Sequence, residues 1–402
     1  MVNKKIYNGL SVYGVIDING SVKFPTTDGT KGQVMCTDGA GTLSWVNAAS
    51  GGTSIMVEGG GKYSTIRDGV FNIASGSNSA ALGGASNQAS GILSTVAGGE
   101  LNASVGSHSI VSGGEDNLSC SSHSSIGGGC GNLAEGVGST IAGGVDNSTS
   151  GGGGYCGGGG IGDYTFIGGG SGNTASNTFS TVSGGYCNSA AGNTSTIGGG
   201  RSNTASGCYG ATVGGGMDNT ASGIVSTVSG GYCNSASGIV STVSGGYCNS
   251  ASGIVSTVSG GYCNSASGCY GATVGGGRSN TASGCYGATV GGGMDNTASG
   301  SYSFIGGGRS NTASGSYSFI GGGRSNNITS NSTDSGILGG TCNSITGDTC
   351  TFIVGTCITA DRTCTTFVNN LSVMDLPSSL AGLPSGSLYY CTTDNNRIYY
   401  AP

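Results

Sequence analysis

Two histidines, sixteen cysteines and a recurring file of tyrosines are the residues of this 402-residue chain whose types could do chemistry. His108 and His123 stand fifteen residues apart. If the structural period is also fifteen they stack, and three copies around an axis would gather six imidazoles, enough for a metal ion or an anion. The plainer reading is a pair of packed or surface histidines. Cys187, Cys233, Cys248, Cys263 and Cys342 each precede an asparagine, and none belongs to a CxxC pair of the zinc-site kind. On neighbouring rungs such cysteines lie about 5 Å apart, within reach of a disulfide. Parallel Cβ vectors strain that bridge, so free thiols packing as small apolar groups in a reducing cytosol are expected.

Hydrolytic chemistry lacks its parts. Asp116, Asp146, Asp218 and Asp295 each sit beside a repeated asparagine at widely separated rungs; only Asp116 has a carboxylate next to it, Glu115, and adjacent side chains in extended backbone point to opposite sides. Glycoside hydrolysis needs a pair. The glycine strings precede no helix, so they are not phosphate loops, and no GGxGxD calcium nonapeptide recurs. No catalytic residue and no cofactor are expected, and the chain reads as a non-enzyme.

Composition narrows the elements that position these residues. Glycine contributes 88 residues and proline 4, while charged residues make up 7%, against roughly 25% in ordinary domains. A conventional Leu, Ile and Phe core cannot be assembled. Glycine does not fall at every third position, which excludes collagen. The net charge is −6 with no basic stripe, so nucleic acid is not an expected partner. No run of 18 apolar residues marks a membrane span, and the start lacks the apolar stretch of a secretory signal.

Aligning the chain on one asparagine reveals its organisation. The residue recurs at Asn72, Asn87, Asn102, Asn117, Asn132 and Asn147, then at Asn173, Asn188, Asn203, Asn219, Asn234, Asn249, Asn264, Asn280, Asn296, Asn311, Asn326 and Asn343. The consensus is S-T-V-x-G-G-x-x-N-x-A-S-G-x-x, and residues 223–267 are three copies of one 15-residue sequence. Such a unit is too short for two helices and a turn. It suits one coil of a β-solenoid with two strands of about four residues and glycine corners. Alternation sends Val228, Val96, Ile141 and their equivalents inward and Thr227 outward, with Ala236, Ala205 and Ala282 inward on the second strand. The asparagine column is expected to be a structural ladder of stacked amides. About eighteen coils at roughly 4.8 Å each give a rod on the order of 85 Å long.

The phrases GGGRSNTASGSYSFIGGGRSN (306–326) and STVSGGYCNSASG (226–238) resemble the head repeats of trimeric autotransporter adhesins. Similar repeats occur in phage and giant-virus tail fibres. The resemblance covers roughly residues 69–348 and implies a left-handed parallel β-roll, a homotrimer and a role in surface attachment. Signal peptide, coiled-coil stalk and C-terminal anchor are not found, which points to a fibre on a virion surface rather than a bacterial autotransporter.

The ends differ from the repeats. Residues 1–50 read as a β attachment or trimerisation module, with strands around Asp-Gly turns ending at Trp45. TDGTKGQVMCTDGAGTLSWV is similar to segments near the start of phage-type fibres, and would join other virion proteins. Residues 51–68 form a linker, 69–348 the solenoid, and 349–402 a C-terminal β cap with a hairpin at Asp394–Asn396 and a fibre-like LPSGSLY phrase. The glycine run 151–162 is expected to be a deformable break, with two rungs between Asn147 and Asn173.

Binding is expected on the most variable column, two positions before the asparagine. It holds Glu100, Glu115, Cys130, Tyr186, Arg201, Met217, Tyr232, Tyr247, Tyr262, Arg278, Met294, Arg309 and Arg324. Variation between copies implies a solvent-facing turn. Tyr232, Tyr247, Tyr262, Arg309 and Arg324 are the candidate contacts to a host surface glycan or protein, with tolerated surface variation as the bland alternative. Three functions are weighed: a virion attachment fibre, a cellular surface adhesin, and an ice-binding solenoid using the threonine file Thr181, Thr196, Thr212, Thr227, Thr242, Thr257, Thr273 and Thr289.

Overall fold

The computed structural model describes residues 17–18, 22–23, 30, 33–37, 42–47, 56–67, 71–149, 163–370, 385, 388–391 and 397–400. These residues form an all-β parallel solenoid of about 19 turns, with no helix among them. Contacts divide the chain into two compact units, Met1–Asp146 and Asn147–Pro402.

One coil of the second unit shows how the repeat folds. Thr227–Val228 and Ser235–Ala236 are the strands, each only two residues long. They pair in parallel, in register, with Thr242–Val243 and Ser250–Ala251 of the next coil. Val228 and Ala236 are fully buried, while Thr227 and Ser235 are half-buried on the outer face. The four-residue strands expected from the sequence are shorter because fifteen residues must also turn the chain around. Left-handed residues interrupt the extended backbone at Cys233 (φ 59°) and Val240 (φ 55°). That conformation is rare for any residue but Gly, Asn and Asp, and strained for a β-branched one. It also reverses the peptide. Thr227 and Ser235 donate their N–H forward to the next coil, whereas Cys233 donates backward to Met217 and Val240 backward to Ile224. Forward and backward bonds together tie each coil to both neighbours.

The asparagine sits between these corners and is buried. Nδ2 of Asn234 donates to Gly230 O in its own coil (2.9 Å) and to Gly246 O in the next (2.9 Å). Its Oδ1 accepts the backbone N–H of Asn249 at 2.9 Å. The ladder is therefore mainly side chain to backbone. Amide-to-amide contacts accompany it only at some steps, such as Asn311 to Asn296. The amide also dictates the preceding glycine: a Cβ at Gly231 (φ 92°) would lie 2.6 Å from Asn234 Nδ2 and collide with Gly246 O. No side chain fits there.

In the first unit the parallel ladder runs from Thr65–Arg67 through Ala80–Ala81, Thr95–Val96, Ile110–Val111 and Ser125–Ile126 to Thr140–Ile141. Met56–Glu58, within the span read as a linker, pairs antiparallel with Thr65–Arg67 and covers that edge. Gln33–Thr37 and Leu43–Asn47 form a hairpin in which Met35 opposes Trp45.

In the second unit the parallel ladder continues past residue 348, through Phe352–Val354 to Thr366–Val368. Leu388–Cys391 pairs antiparallel with Arg397–Tyr400; the turn expected at Asp394–Asn396 lies outside the described residues. One reading needs correction. Asn173 N–H binds Asn147 Oδ1 directly at 3.0 Å, and Asn147 Nδ2 reaches Gly170 O. The 26-residue interval therefore spans one ladder step, not two. Residues 151–162, expected to be deformable, lie outside the described residues.

Buried polar groups differ in how well they are satisfied. Ser226, Ser241 and Ser256 Oγ are buried without a partner, and the same position is alanine at Ala211, Ala272 and Ala288. Asn234→Ala should destabilise by about 2–6 kcal/mol, because Gly230 O and the Asn249 N–H lose their partner, while Gly246 O keeps only the Tyr232 N–H. The triple change Ser226→Ala, Ser241→Ala, Ser256→Ala should be neutral or stabilising by up to about 1 kcal/mol per site. Thermal melts of both variants beside the parent check this contrast, and equal losses would contradict it.

Candidate binding surface

The variable column lies on a third parallel ladder, linked residue by residue. Tyr186, Arg201, Met217, Tyr232, Tyr247, Tyr262, Arg278, Met294, Arg309 and Arg324 bridge in that order on consecutive coils of the second unit. The ladder forms because the residue two before each asparagine is extended, between the Gly-Gly corner and the left-handed residue that follows. Its N–H binds the next coil's glycine carbonyl, as Tyr232 does with Gly246 O at 2.9 Å. Register then fixes side-chain spacing at one rung.

Tyr247 and Tyr262 stack with ring centroids 4.8 Å apart and planes within 3°; Tyr232 and Tyr247 lie 5.2 Å apart and tilted by 36°. The Arg278 guanidinium sits 5.6 Å from the Tyr262 centroid, and Arg201 lies 5.9 Å from the ring of Tyr186. Both are cation–π contacts. Tyr247 and Tyr262 are exposed and Tyr232 half-exposed. Their faces are largely occupied by one another and by Arg278, so ring edges and hydroxyls are what the column offers to solvent. Arg309 and Arg324 are exposed on consecutive rungs, and neither forms an ion pair among the described residues. The candidate contacts are thus brought onto one file, with Met294 between Arg278 and Arg309.

The cysteines before the asparagines stand at the neighbouring left-handed corner. Cys233 and Cys263 are exposed and Cys248 half-buried between them. Lost hydration, then the hydrogen bond and charge of Cys233 and the charge of Cys263, raise the Cys248 thiol above its ordinary range. Tyr247 is raised too, first by the charge of Cys248 and then by Tyr262. His108 and His123, in the first unit, stack at 4.8 Å with planes within 3°, exposed at successive left-handed corners. No cluster of three metal-ligating side chains occurs among the described residues. The ten ladder asparagines from Asn188 to Asn326 are buried and occupied with backbone, so they face no ligand.

Three features escaped sequence reasoning. A second aromatic file joins Tyr286, Tyr302 and Tyr317, with centroids 6.1 and 5.2 Å apart. Ile224, Val225, Ile239, Val240, Ile254 and Val255 form an exposed aliphatic band on three consecutive coils. Cys269 and Cys285 are joined in a disulfide, Cα to Cα 4.5 Å, where free thiols are expected for the other column. The signal for the bridge was available: the 16-residue coils share the phrase GCYGATV, which recurs at 268–274 and 284–290. Those coils are consecutive.

No family model matches this chain, and no curated protein matches it.

Proposed function

We propose that the chain is a structural attachment fibre of a virion surface, which holds its target through many non-covalent contacts and carries out no covalent chemistry. The observation that supports this reading most is the tyrosine–arginine file, in which one exposed position is repeated at rung spacing over ten coils. Duplicating a coil duplicates a contact, and many weak contacts on a stiff scaffold give firm attachment without a deep pocket. The target would be a host surface glycan or protein that accepts phenol hydroxyls and guanidinium donors. The same reading makes the working form a homotrimer. The aliphatic band from Ile224 to Val255 offers contiguous apolar surface for lateral association.

A cellular surface adhesin would use the same contacts and differs only in its carrier; neighbouring genes distinguish the two. A second class of function draws on the threonine file. Thr181, Thr196, Thr212, Thr227, Thr242, Thr257, Thr273 and Thr289 pair in register on consecutive parallel strands, a regular hydroxyl array of the kind that orders ice-like water.

Replacing Tyr232, Tyr247 and Tyr262 by Ser should cost about 1–2 kcal/mol of stability from two lost ring contacts and leave the coil intact. Binding of the full chain to immobilised glycans and cultured cells should fall at least tenfold, about 1.4 kcal/mol. Unchanged binding would reject the tyrosine file, and thermal hysteresis in an ice-growth assay would favour the second class. Light scattering should give three times the chain mass of 38.5 kDa; a monomer would reject the trimer.

A further inference from the structure

The asparagine ladder stops one coil before the parallel sheet does. Asn343 is its last member, and the position one rung on is Ile358, whose N–H still binds Asn343 Oδ1 at 3.0 Å. Isoleucine returns no amide. The last step of the stack therefore has no ladder amide: Thr351 Oγ1 to Arg362 O (3.1 Å) and Thr356 N–H to Asn369 Oδ1 are the side-chain bonds there, beside the last strand pairing of the parallel ladder, Phe352–Val354 with Thr366–Val368. In a stack stabilised by nearest neighbours, this last coil opens first.

Both left-handed corners of this coil carry cysteine, and each stands over a cysteine of the coil before. Cys342 and Cys357 (φ 55° each) occupy one corner; Cys350 (φ 51°) and Cys364 (φ 53°) occupy the other. Backbone bonds fix the register. Cys342 N–H reaches Arg324 O at 2.9 Å and Cys357 N–H reaches Thr341 O at 2.8 Å, so each donates to the coil below through the same position. Cys350 binds Thr333 O at 3.1 Å and Cys364 binds Thr349 O at 3.0 Å in the same way. All four thiols are exposed. Elsewhere in the same unit, Cys269 and Cys285, which are not at left-handed corners, are bridged between consecutive coils, while Cys233, Cys248 and Cys263, at the corner that Cys342 shares, are free thiols. One rung, about 4.8 Å, falls in the Cα range that disulfides span.

We propose that Cys342–Cys357 and Cys350–Cys364 are oxidation sites that close as two inter-coil disulfides and lock the last coil where the asparagine ladder ends. The co-reactant is a small-molecule disulfide such as oxidised glutathione. The Cys350 thiolate attacks one of its sulfurs, forming a mixed disulfide and expelling one small thiolate, which takes up a proton. The Cys364 thiolate then attacks the Cys350 sulfur and expels the second. Two protein thiols and one small disulfide become one protein disulfide and two small thiols, and no other electron acceptor is required. The Cys342–Cys357 pair follows the same course. Lost hydration, then Cys364 and Asp334, hold the Cys350 thiol above its ordinary range. Fewer thiolates are present at a given pH, so closure at that corner accelerates as pH rises.

The test uses the full chain, purified under reductant and then incubated with oxidised glutathione across a pH series. Differential alkylation and peptide mass mapping read the bonds; hydrogen exchange reads the last coil. The expected result is linkage 342–357 and 350–364, with protection of residues 351–369 raised at least tenfold over the reduced chain. In Cys364→Ser the 350–364 link and part of that gain should vanish while 342–357 still forms. Thiols that stay alkylatable after oxidation, links out of register such as 342–350, or correct links without added protection would each overturn the proposal. Because oxidised and reduced forms of the unaltered chain are compared, a variant that fails to fold does not blur the outcome.

Discussion

A buried carboxamide must have its hydrogen bonds made, and in this protein one amide per coil makes them across the coil boundary. Each asparagine from Asn188 to Asn326 gives its two N–H groups to a glycine carbonyl of its own coil and one of the next, and accepts the next asparagine's backbone N–H, as Asn234 does. Leaving such groups unpaired in a dry interior costs 1–3 kcal/mol apiece, so the column sets the register of the whole stack. Other features follow from it. The glycine three residues earlier has no room for a Cβ beside the amide nitrogen. The residue just before the asparagine is driven left-handed, whether it is Cys233, Ser202, Asp218 or Leu101. Insertions of one residue, as in the GCYGATV coils, are absorbed away from the column, so steps of 15 and 16 keep the same bonds.

What the column leaves unconstrained is what varies. Val228 and Ala236 fill a narrow interior, while the residue two before the asparagine meets only its equivalents above and below. Tyrosine, arginine, methionine and glutamate all occur there, because the backbone bonds of that ladder do not depend on the side chain. Specificity can change at this file without disturbing the coil. The threonine file is more restricted, since its side chains are half-buried on the outer face of a strand.

The repeat, its inward valine and alanine, and its asparagine column were legible because each is a period-15 pattern with one physical cause. The corners were not. Nothing in the sequence of Val225, Val240 or Val255 announces a left-handed backbone, for β-branched residues disfavour it, and stacking imposes it against local preference. Hence the expected four-residue strands came out as two. The step from Asn147 to Asn173 was misread because counting residues assumes every stretch belongs to the stack, whereas hydrogen bonding identifies the neighbours. At the candidate surface, periodicity placed Tyr232, Tyr247 and Tyr262 on one file but could not say that their faces would be used up against each other. The Cys269–Cys285 bridge follows from adjacency of two coils rather than from any cysteine spacing typical of disulfide frameworks.

The role of the asparagine column is tested most directly by residue-resolved hydrogen exchange in the second unit. The backbone N–H groups of Asn188, Asn203 and Asn219 bind a side-chain oxygen at 3.0 Å, while those of Thr181, Thr196 and Thr212 bind backbone carbonyls at 2.9 Å. If the amide ladder holds the coils in register, the asparagine amides exchange within about tenfold of the threonine amides, as members of one cooperative unit. Asparagine amides that exchange orders of magnitude faster, while the threonine amides stay protected, would contradict it.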